Sequence, residues 1–393
     1  MSAAEPQSVG ERFNRNNRPD GLTLDGWDVR PSVSAGAGYD DNITLSRGDG
    51  PSSPELSLGS SVEANRNLGP YVLDLDAVVR QFWYPDSRDN ELTEFDVRAA
   101  ARFQSNPIDV HGAVSFLQGA DRTIDNGIFV DGAFESYTTR AEYRRVPFEA
   151  GIECDISHFK LASDLRIDAV DYEEQTTASN LSVSQDFRSG WEGALRIRGG
   201  YETHPGLSFF AETAATTGRY RDSQGDRDAW RIVGGAEFEF SRLLLGEVSA
   251  GYTQLSLIDD AKTSGFAYRA GLHWFVNELV SLSLSGERSI DGEVATTSGG
   301  VTSVAAVTND TIRLRAEWEP LRRVFVYAQS SYEERVRERN GQTDAFTSFG
   351  LGAAYVLTSS LTLTVDGSHE FGTFDYSSDI ERHRVSVGLI AAF

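Results

Sequence analysis

Cysteine, methionine and long hydrophobic runs are nearly absent from this chain of 393 residues, which contains one cysteine and one methionine. A single cysteine, Cys154, supports neither a disulfide framework nor a thiolate metal cluster. The mean hydropathy is −0.35, and no stretch approaches the roughly 18 consecutive apolar residues that a transmembrane helix needs. The sequence therefore excludes a helical membrane protein and a small disulfide-bonded domain.

Basic residues are also scarce. The chain has 36 lysines and arginines and 59 acidic residues, which gives a formal net charge of −23. Nucleic-acid-binding proteins need a basic surface, so we expect no nucleic-acid partner. The first six residues, Met1 to Pro6, have neither the basic segment nor the apolar core of a signal peptide. We interpret the chain as the mature form of an exported protein that carries a start methionine.

A strict alternation of apolar and polar residues is what the chain does contain. In residues 70–83 every second position from Tyr71 to Val79 is apolar, and the opposite face carries Asp74, Asp76 and Arg80. The same pattern recurs in residues 311–318 and throughout the chain after the first tryptophan. Successive side chains of a strand point to opposite faces, so such strands separate two different solvents. Alternating segments of this length are typical of membrane-spanning barrel strands.

The connections between these segments alternate between short and long. Short turns are predicted at Leu68-Gly69-Pro70, Asn106-Pro107, Ser157-His158, His204-Pro205, Ser241-Arg242, Val276-Asn277, Glu319-Pro320 and Ser359-Ser360. The others are longer and polar, as in Arg47-Gly48-Asp49-Gly50, Pro85–Asn90, Arg221–Asp226 and Glu338–Gln342. Short turns on one rim and long loops on the other are the outer-membrane pattern.

The segments predict one antiparallel transmembrane β-barrel of about 18 strands, in a range of 16–18. The predicted strands start near residues 27, 55, 70, 92, 108, 143, 160, 190, 206, 227, 243, 265, 279, 308, 322, 344, 360 and 380. Two long gaps, 121–142 and 174–189, could each contain an extra hairpin or an infolded loop. An even strand count places both termini in the periplasm. Residues 1–25 read as a polar, irregular periplasmic tail or a partial plug of the lumen, and 26–393 as the barrel.

Aromatic residues fall where a barrel meets the membrane surfaces. Tryptophan rings are apolar but carry an N–H group that prefers water or headgroups, so we expect an interface girdle formed by Trp27, Trp83, Trp191, Trp230, Trp274 and Trp318. The last strand alternates back from a terminal phenylalanine, Phe393, which resembles the signal read by the barrel-assembly machinery. The expected surroundings are outer-membrane lipid and lipopolysaccharide.

The entry to the first strand carries a family resemblance. Arg18-Pro19-Asp20-Gly21-Leu22 is followed by Gly26–Val33 and then by Gly38-Tyr39-Asp40-Asp41-Asn42. This order resembles the opening of the putative β-barrel porin 2 family of proteobacterial outer-membrane proteins. The resemblance extends over nearly the whole chain and implies, loosely, a role in surface-polysaccharide export with periplasmic export components as partners. It implies no catalytic residues.

The polar face of the alternation identifies the residues that should line the lumen. We predict that lumen-lining and selectivity residues include Asp74, Asp76, Arg80, Arg98, Arg102, Asp164, Arg166, Asp168, Arg196, Arg198, Arg231, Arg269, Arg313, Arg315, Glu317 and Arg384. Rings of fixed charge set ion preference in channels. Acids outnumber bases among the inward positions, so passage of cations or neutral sugars fits better than export of an acidic polymer. A solvated charge ladder that only stiffens the wall is the alternative.

Other classes of protein fit less well. The six histidines, His111, His158, His204, His273, His369 and His383, lie beside no nucleophile motif, so no enzyme is predicted. We expect no cofactor and no metal, because the acidic loops contain no EF-hand pattern. The chain has no room for the plug and 22 strands of a TonB-dependent receptor, and no repeated blade motif of a propeller. The main alternative to a pore is a closed structural or surface-anchoring barrel.

Overall fold

The structure is a computed structural model that describes residues 7–46, 50–121, 127–130, 133–177, 179–257, 262–296, 302–338, 341–375 and 379–393. One helix, α1 (Val9–Asn17), precedes the sheet. Within these ranges the wall strands are β2 (Trp27–Asp40), β3 (Ser53–Leu68), β4 (Tyr71–Trp83), β5 (Leu92–Ser105), β6 (Ile108–Asp121), β9 (Ala141–Ile156), β10 (Phe159–Tyr172), β13 (Gly190–His204), β14 (Leu207–Tyr220), β15 (Arg227–Ser241), β16 (Leu244–Leu257), β17 (Lys262–Asn277), β18 (Val280–Thr296), β19 (Thr302–Leu321), β20 (Val324–Arg337), β21 (Thr343–Thr358), β22 (Leu361–Phe374) and β23 (Ile380–Ala392).

These strands form a closed antiparallel barrel. Each wall strand pairs with the next one along the chain, and the first, β2, pairs with the last, β23, from Ser32↔Ala392 to Asp40↔Arg384. Closure leaves the barrel without a free sheet edge. The prediction of about 18 antiparallel strands is therefore confirmed, and the wall has 18 in the described ranges.

The remaining short elements lie outside this wall. Strand β1 (Leu22–Leu24) pairs with the start of β2. The two long gaps each contain a small hairpin, namely β7 (Gly127–Val130) with β8 (Ala133–Ser136), and β11 (Gln175–Thr176) with β12 (Ser182–Val183). The expectation of an irregular segment over residues 1–25 is wrong for residues 9–17, which form α1. Ser8 caps this helix through a reciprocal capping box with Glu11.

Tight turns join the wall strands at one end of the barrel, which we call the short-turn rim. The opposite end is the long-loop rim. Strand β2 begins and β23 ends at the short-turn rim. Two predicted turns lie wholly inside strands, Val276-Asn277 in β17 and Glu319-Pro320 in β19. A register shift between Trp318 and Leu321 accommodates Pro320 there, since proline cannot donate to the ladder but is tolerated at a bulge.

The two faces of the wall differ in polarity. The outward face is a broad apolar surface whose exposed members include Val33, Leu58, Val62, Leu75, Val114, Phe148, Ile152, Leu165, Leu195, Ile197, Ile232, Val248, Leu284, Leu314, Val365, Val387 and Leu389. The inward face carries most of the charged side chains. A barrel satisfies its backbone hydrogen bonds between strands, so this outward face can contact hydrocarbon. None of the helices in the described ranges has the length and apolar character needed to cross a membrane.

Candidate functional site: the lumen and its two ends

A ladder of alternating charges crosses the lumen face of β10 to β18. The Arg196 guanidinium donates to Asp164 at 2.7 Å and lies 3.7 Å from Glu212. Glu212, which is buried, also accepts from Arg231 at 2.8 Å. The alternation continues to Glu287, whose carboxylate lies 2.7 Å from Arg269 and 3.9 Å from Arg231. Charges in a connected ladder polarise one another, so one substitution alters several neighbours.

Arg198 connects this row to carboxylates farther along the lumen wall. Its guanidinium contacts the carboxylates of Glu237 and Glu247, the latter at 3.1 Å, and stacks 3.5 Å above the ring of Phe210. Arg196 meets an acid of the adjacent strand, its register partner Asp164 of β10. Arg198 is the register partner of Glu212 and lies 3.9 Å from its carboxylate, and its side chain extends onward to β15 and β16.

Two further arginines share one carboxylate nearer the long-loop rim. Arg145 donates to Asp168 through Nε at 2.6 Å, and Arg166 lies 3.4 Å from the same carboxylate. Arg166 also lies 3.7 Å from Glu149. On this side of the lumen the predicted bases are therefore largely neutralised by carboxylates.

The opposite part of the wall, β3 to β5, is richer in free carboxylates. Asp76 is the register partner of Glu63 on one side and of Arg98 on the other. Asp74 accepts a hydrogen bond from Asn65 at 2.5 Å. Asp74, Asp76 and the exposed Asp96 form no ion pair with any described residue. This wall therefore presents an unneutralised negative surface to the lumen.

The remaining predicted lumen residues are distributed around the wall, and their role in selectivity stays a prediction. Arg80 lies 3.6 Å from Glu94, Arg102 2.6 Å from Asp109, and Arg384 2.6 Å from Glu55. Arg315 donates to Glu317 at 2.8 Å and to Gln329 at 3.0 Å. Arg98 and Arg313 are exposed, and neither forms an ion pair within the described ranges.

Helix α1 lies against the lumen wall at its short-turn end. The Gly10 N–H donates to Glu317 at 3.0 Å, the Val9 N–H donates to Ser281 at 3.1 Å, and Arg12 lies 2.8 Å from Glu319. These acceptors occupy lumen-facing positions close to the short turns that begin β18 and end β19. The N-terminal end of a helix favours a negative partner such as Glu317. The contacts fix the helix by its first turn.

Apolar contacts also hold α1 against the wall. Val9 and Phe13, one turn apart, are buried against Phe325 and Val356 of the wall, and the rings of Phe13 and Phe325 stack at 5.4 Å. A Cβ at Gly10 would lie 3.1 Å from both Glu317 and Phe325, so this position is tight. The sequence signal that identifies the helix is the Ser8-x-x-Glu11 capping box, followed by apolar residues four apart.

The β18–β19 hairpin partly covers the long-loop mouth. Strand β18 pairs with β17 only as far as Tyr268↔Arg288, but it pairs with β19 up to Thr296↔Thr302. Above that point Ile290 packs against Leu255 on the inner face of β16. The hairpin also contacts β7. Because β7 follows β6, which lies eight strands from β18 in one direction and ten in the other, this contact spans the mouth.

Loops on the β2–β9 side of the mouth are packed together. Tyr84 is fully buried, donates to Glu55 at 3.0 Å and accepts from Arg140 at 3.2 Å. Burial raises the pKa of the Tyr84 hydroxyl above its usual value, although the Arg140 cation opposes this change. Ile43 packs on the same cluster. The mouth is therefore bordered by loops that pack on one another through buried side chains.

The predicted girdle residues all lie on the outward face near strand ends. Trp27, Trp274 and Trp318 are at the short-turn rim, and Trp83, Trp191 and Trp230 at the long-loop rim. Phe393 is more than half exposed, and its N–H donates to the Pro31 carbonyl oxygen at 3.0 Å. Its role in assembly stays a prediction.

A closed wall with an apolar outer belt and a charged lumen defines a porin-type β-barrel of the bacterial outer membrane. The family model of Putative beta-barrel porin 2 matches residues 17–393. The chain belongs to this family, as the resemblance in the first strand suggested. No curated protein matches.

Solved barrels of this architecture are similar in fold at low sequence identity. Acinetobacter baumannii OccAB2 is 12% identical with a TM-score of 0.48, and the match covers 95% of this chain and 100% of the other. Pseudomonas aeruginosa OccK3 (OpdO) is 12% identical with a TM-score of 0.47, covering 93% and 96%. Pseudomonas aeruginosa OccK1 (OpdK) is 9% identical with a TM-score of 0.49, covering 93% and 99%.

Proposed function

We propose that this porin-type barrel is an open pore that favours cations and neutral polar solutes, including sugars. The observation that supports this selectivity is the imbalance of free charge on the lumen face. Carboxylates without an ion pair in the described ranges include Asp74, Asp76, Asp96, Glu153, Asp155, Glu202 and Glu239. Lumen-facing bases that have no ion pair in those ranges, such as Arg98, Arg313 and Lys160, are fewer. A negative lumen concentrates cations and repels anions.

The charge pattern also bears on polysaccharide export, which the family resemblance suggests. An acidic polymer would meet the free carboxylates of β3 to β5 along its path, whereas a neutral chain or a small sugar would not. Carboxylates and arginines lining a wide channel can replace the water that hydrates sugar hydroxyls. A neutral saccharide is therefore the cargo that this lumen fits best.

Helix α1 adds a second element to the proposal, which is that residues 1–25 act as a partial plug. A helix with its side chains is about 10–12 Å wide, so one lying on the inner wall removes a substantial part of the lumen cross-section. Because Val9 and Phe13 would expose apolar surface on leaving the wall, the bound position is favoured. The plugged end would be the periplasmic one.

A closed structural barrel is the competing function, and it is favoured by α1 at one end and the β18–β19 hairpin at the other. Single-channel recording of the purified protein in a planar bilayer separates the two. We expect stable conductance steps, with a reversal potential under a salt gradient that indicates cation preference. Absence of any conductance would overturn the pore, and anion preference would overturn the proposed selectivity.

A further inference from the structure

Two histidines and a glutamate meet on the outward face of the barrel near the long-loop rim. His369 of β22 and His383 of β23 are cross-strand register partners, and their rings lie 4.5 Å apart. Glu381 precedes His383 by two positions and so projects from the same face. One potential ligand atom from each of these three residues lies within 4.8 Å of the others.

A carboxylate behind His383 fixes the orientation of its ring. The Nδ1 atom of His383 lies 2.9 Å from the Asp41 carboxylate, which also accepts the His383 backbone N–H at 2.6 Å. An anion at Nδ1 favours the tautomer protonated there, which leaves the Nε2 lone pair free. That atom lies 3.8 Å from the Glu381 carboxylate. Metal-binding histidines are oriented in this way by a carboxylate on the second nitrogen.

His369 supplies an independent observation. Its Nδ1 atom is buried and forms no hydrogen bond with any residue that the structure describes. Buried polar nitrogens are nearly always partnered. An unpartnered imidazole nitrogen beside a second, oriented imidazole and a free carboxylate is the arrangement of a ligand set.

We propose that His369, Glu381 and His383 form a binding site for a divalent transition-metal ion of the zinc type. Imidazole and carboxylate ligands suit such ions, and three protein ligands leave a fourth position for water. Ligand atoms about 2 Å from the ion stand about 3.3 Å apart in a tetrahedral site, so the set must contract slightly. Glu381 is exposed and can rotate to do so, while His383 keeps the orientation that Asp41 gives it.

The position of the site gives the ion a structural role. It would join β22 to β23 and, through Asp41, the residue that follows β2. These are the strands on both sides of the place where the barrel closes. An ion that binds the folded barrel but not the unfolded chain raises the unfolding temperature.

The test uses the full-length protein in detergent after treatment with a chelator. Calorimetric titration with Zn²⁺ should show one saturable site, and Co²⁺ should give the strong visible absorption of a four-coordinate complex. His383→Gln and His369→Gln should each abolish the saturable site. Asp41→Asn should weaken it about 10–100-fold while retaining the Co²⁺ spectrum. The control His204→Gln, at the opposite rim, should bind as the wild type does.

Equal Zn²⁺ binding by the wild type and the His383→Gln variant would overturn the site. Binding without the four-coordinate Co²⁺ spectrum would also overturn it, because scattered surface carboxylates would then account for the titration. If a variant fails to fold, the wild type still decides the matter. Zn²⁺ should protect His369 and His383, but not His204, from acylation by diethyl pyrocarbonate, and equal modification of all three would refute the proposal.

Discussion

Asp40 and Arg382 form a buried, bidentate ion pair across the seam between the first and last strands of the barrel. The Arg382 Nε donates to Asp40 at 2.9 Å, and the side chains are 2% and 0% exposed. Asp41 and Asn42 add hydrogen bonds to His383 and to the Glu381 carbonyl oxygen. The Tyr-Asp-Asp-Asn motif that carries the family resemblance therefore closes the barrel at the long-loop rim.

Breaking this pair should destabilise the barrel strongly. In Arg382→Met the Asp40 carboxylate stays buried without its counter-ion, which costs about 3–5 kcal/mol. The temperature at which the folded band converts to the unfolded band on a denaturing gel should fall. The matched control is Arg144→Met, because the Arg144–Glu173 pair is more than half exposed and such pairs contribute at most about 1 kcal/mol. Equal shifts in the two variants would show that the Asp40–Arg382 pair stabilises the barrel no more than an exposed ion pair does.

Removing the two arginines of β13 should increase cation preference. In an Arg196→Ala and Arg198→Ala double variant, Asp164, Glu237 and Glu247 lose close cationic partners and become free negative charge in the lumen. The reversal potential under a salt gradient should move toward the cation limit. Arg144→Ala removes one outward-facing base and should leave the potential unchanged. An unaltered potential in the double variant would count against a lumen that sets selectivity through this ladder.

Neutralising the acidic wall should have the opposite effect. The Asp74→Asn, Asp76→Asn and Asp96→Asn triple variant removes three carboxylates that have no ion pair among the described residues, so the cation preference should fall. Asn keeps the size and polarity of Asp, and conductance steps should remain. Asp228→Asn, on the outward face, is the control. A triple variant with wild-type selectivity would place the determining charges elsewhere in the lumen.

Displacing α1 should widen the pore. Phe13→Asp puts a charge into the apolar contact with Phe325, so the helix should leave the wall and single-channel conductance should rise. Deleting residues 1–18 should raise conductance to the same level or higher. Asn14→Asp introduces the same side chain at an exposed helix position and should change little. Unchanged conductance after the deletion would mean that α1 does not restrict ion flow.

The wall was predictable from the sequence because alternation is a local property. In a strand such as β4, the residues themselves show which side chains face the lumen and which face outward. The predicted strand starts lie within a few residues of the observed ones. The exception is the β18–β19 hairpin, where β19 begins at Thr302 rather than near 308. The lumen-facing phase of Asp74, Arg196 and Arg313 followed from the same pattern.

The parts that depend on distant partners were not predictable in this way. Helix α1 is polar overall and is stabilised by Glu317 and Phe325, more than 300 residues away. The partners of Arg198 are set by how far its long side chain extends over the neighbouring strands. The pairing of His369 with His383 appears only once the register of β22 and β23 is known.

The two-residue turns of the short-turn rim have a consequence for insertional tolerance. A tight turn fixes the register of the strands that it joins, and a one-residue slip would exchange every lumen-facing side chain of the next strand with a lipid-facing one. Added residues can therefore be absorbed only in the longer connections of the opposite rim. That rim is the place where extra peptide segments, whether acquired naturally or engineered, can be carried while the wall stays intact.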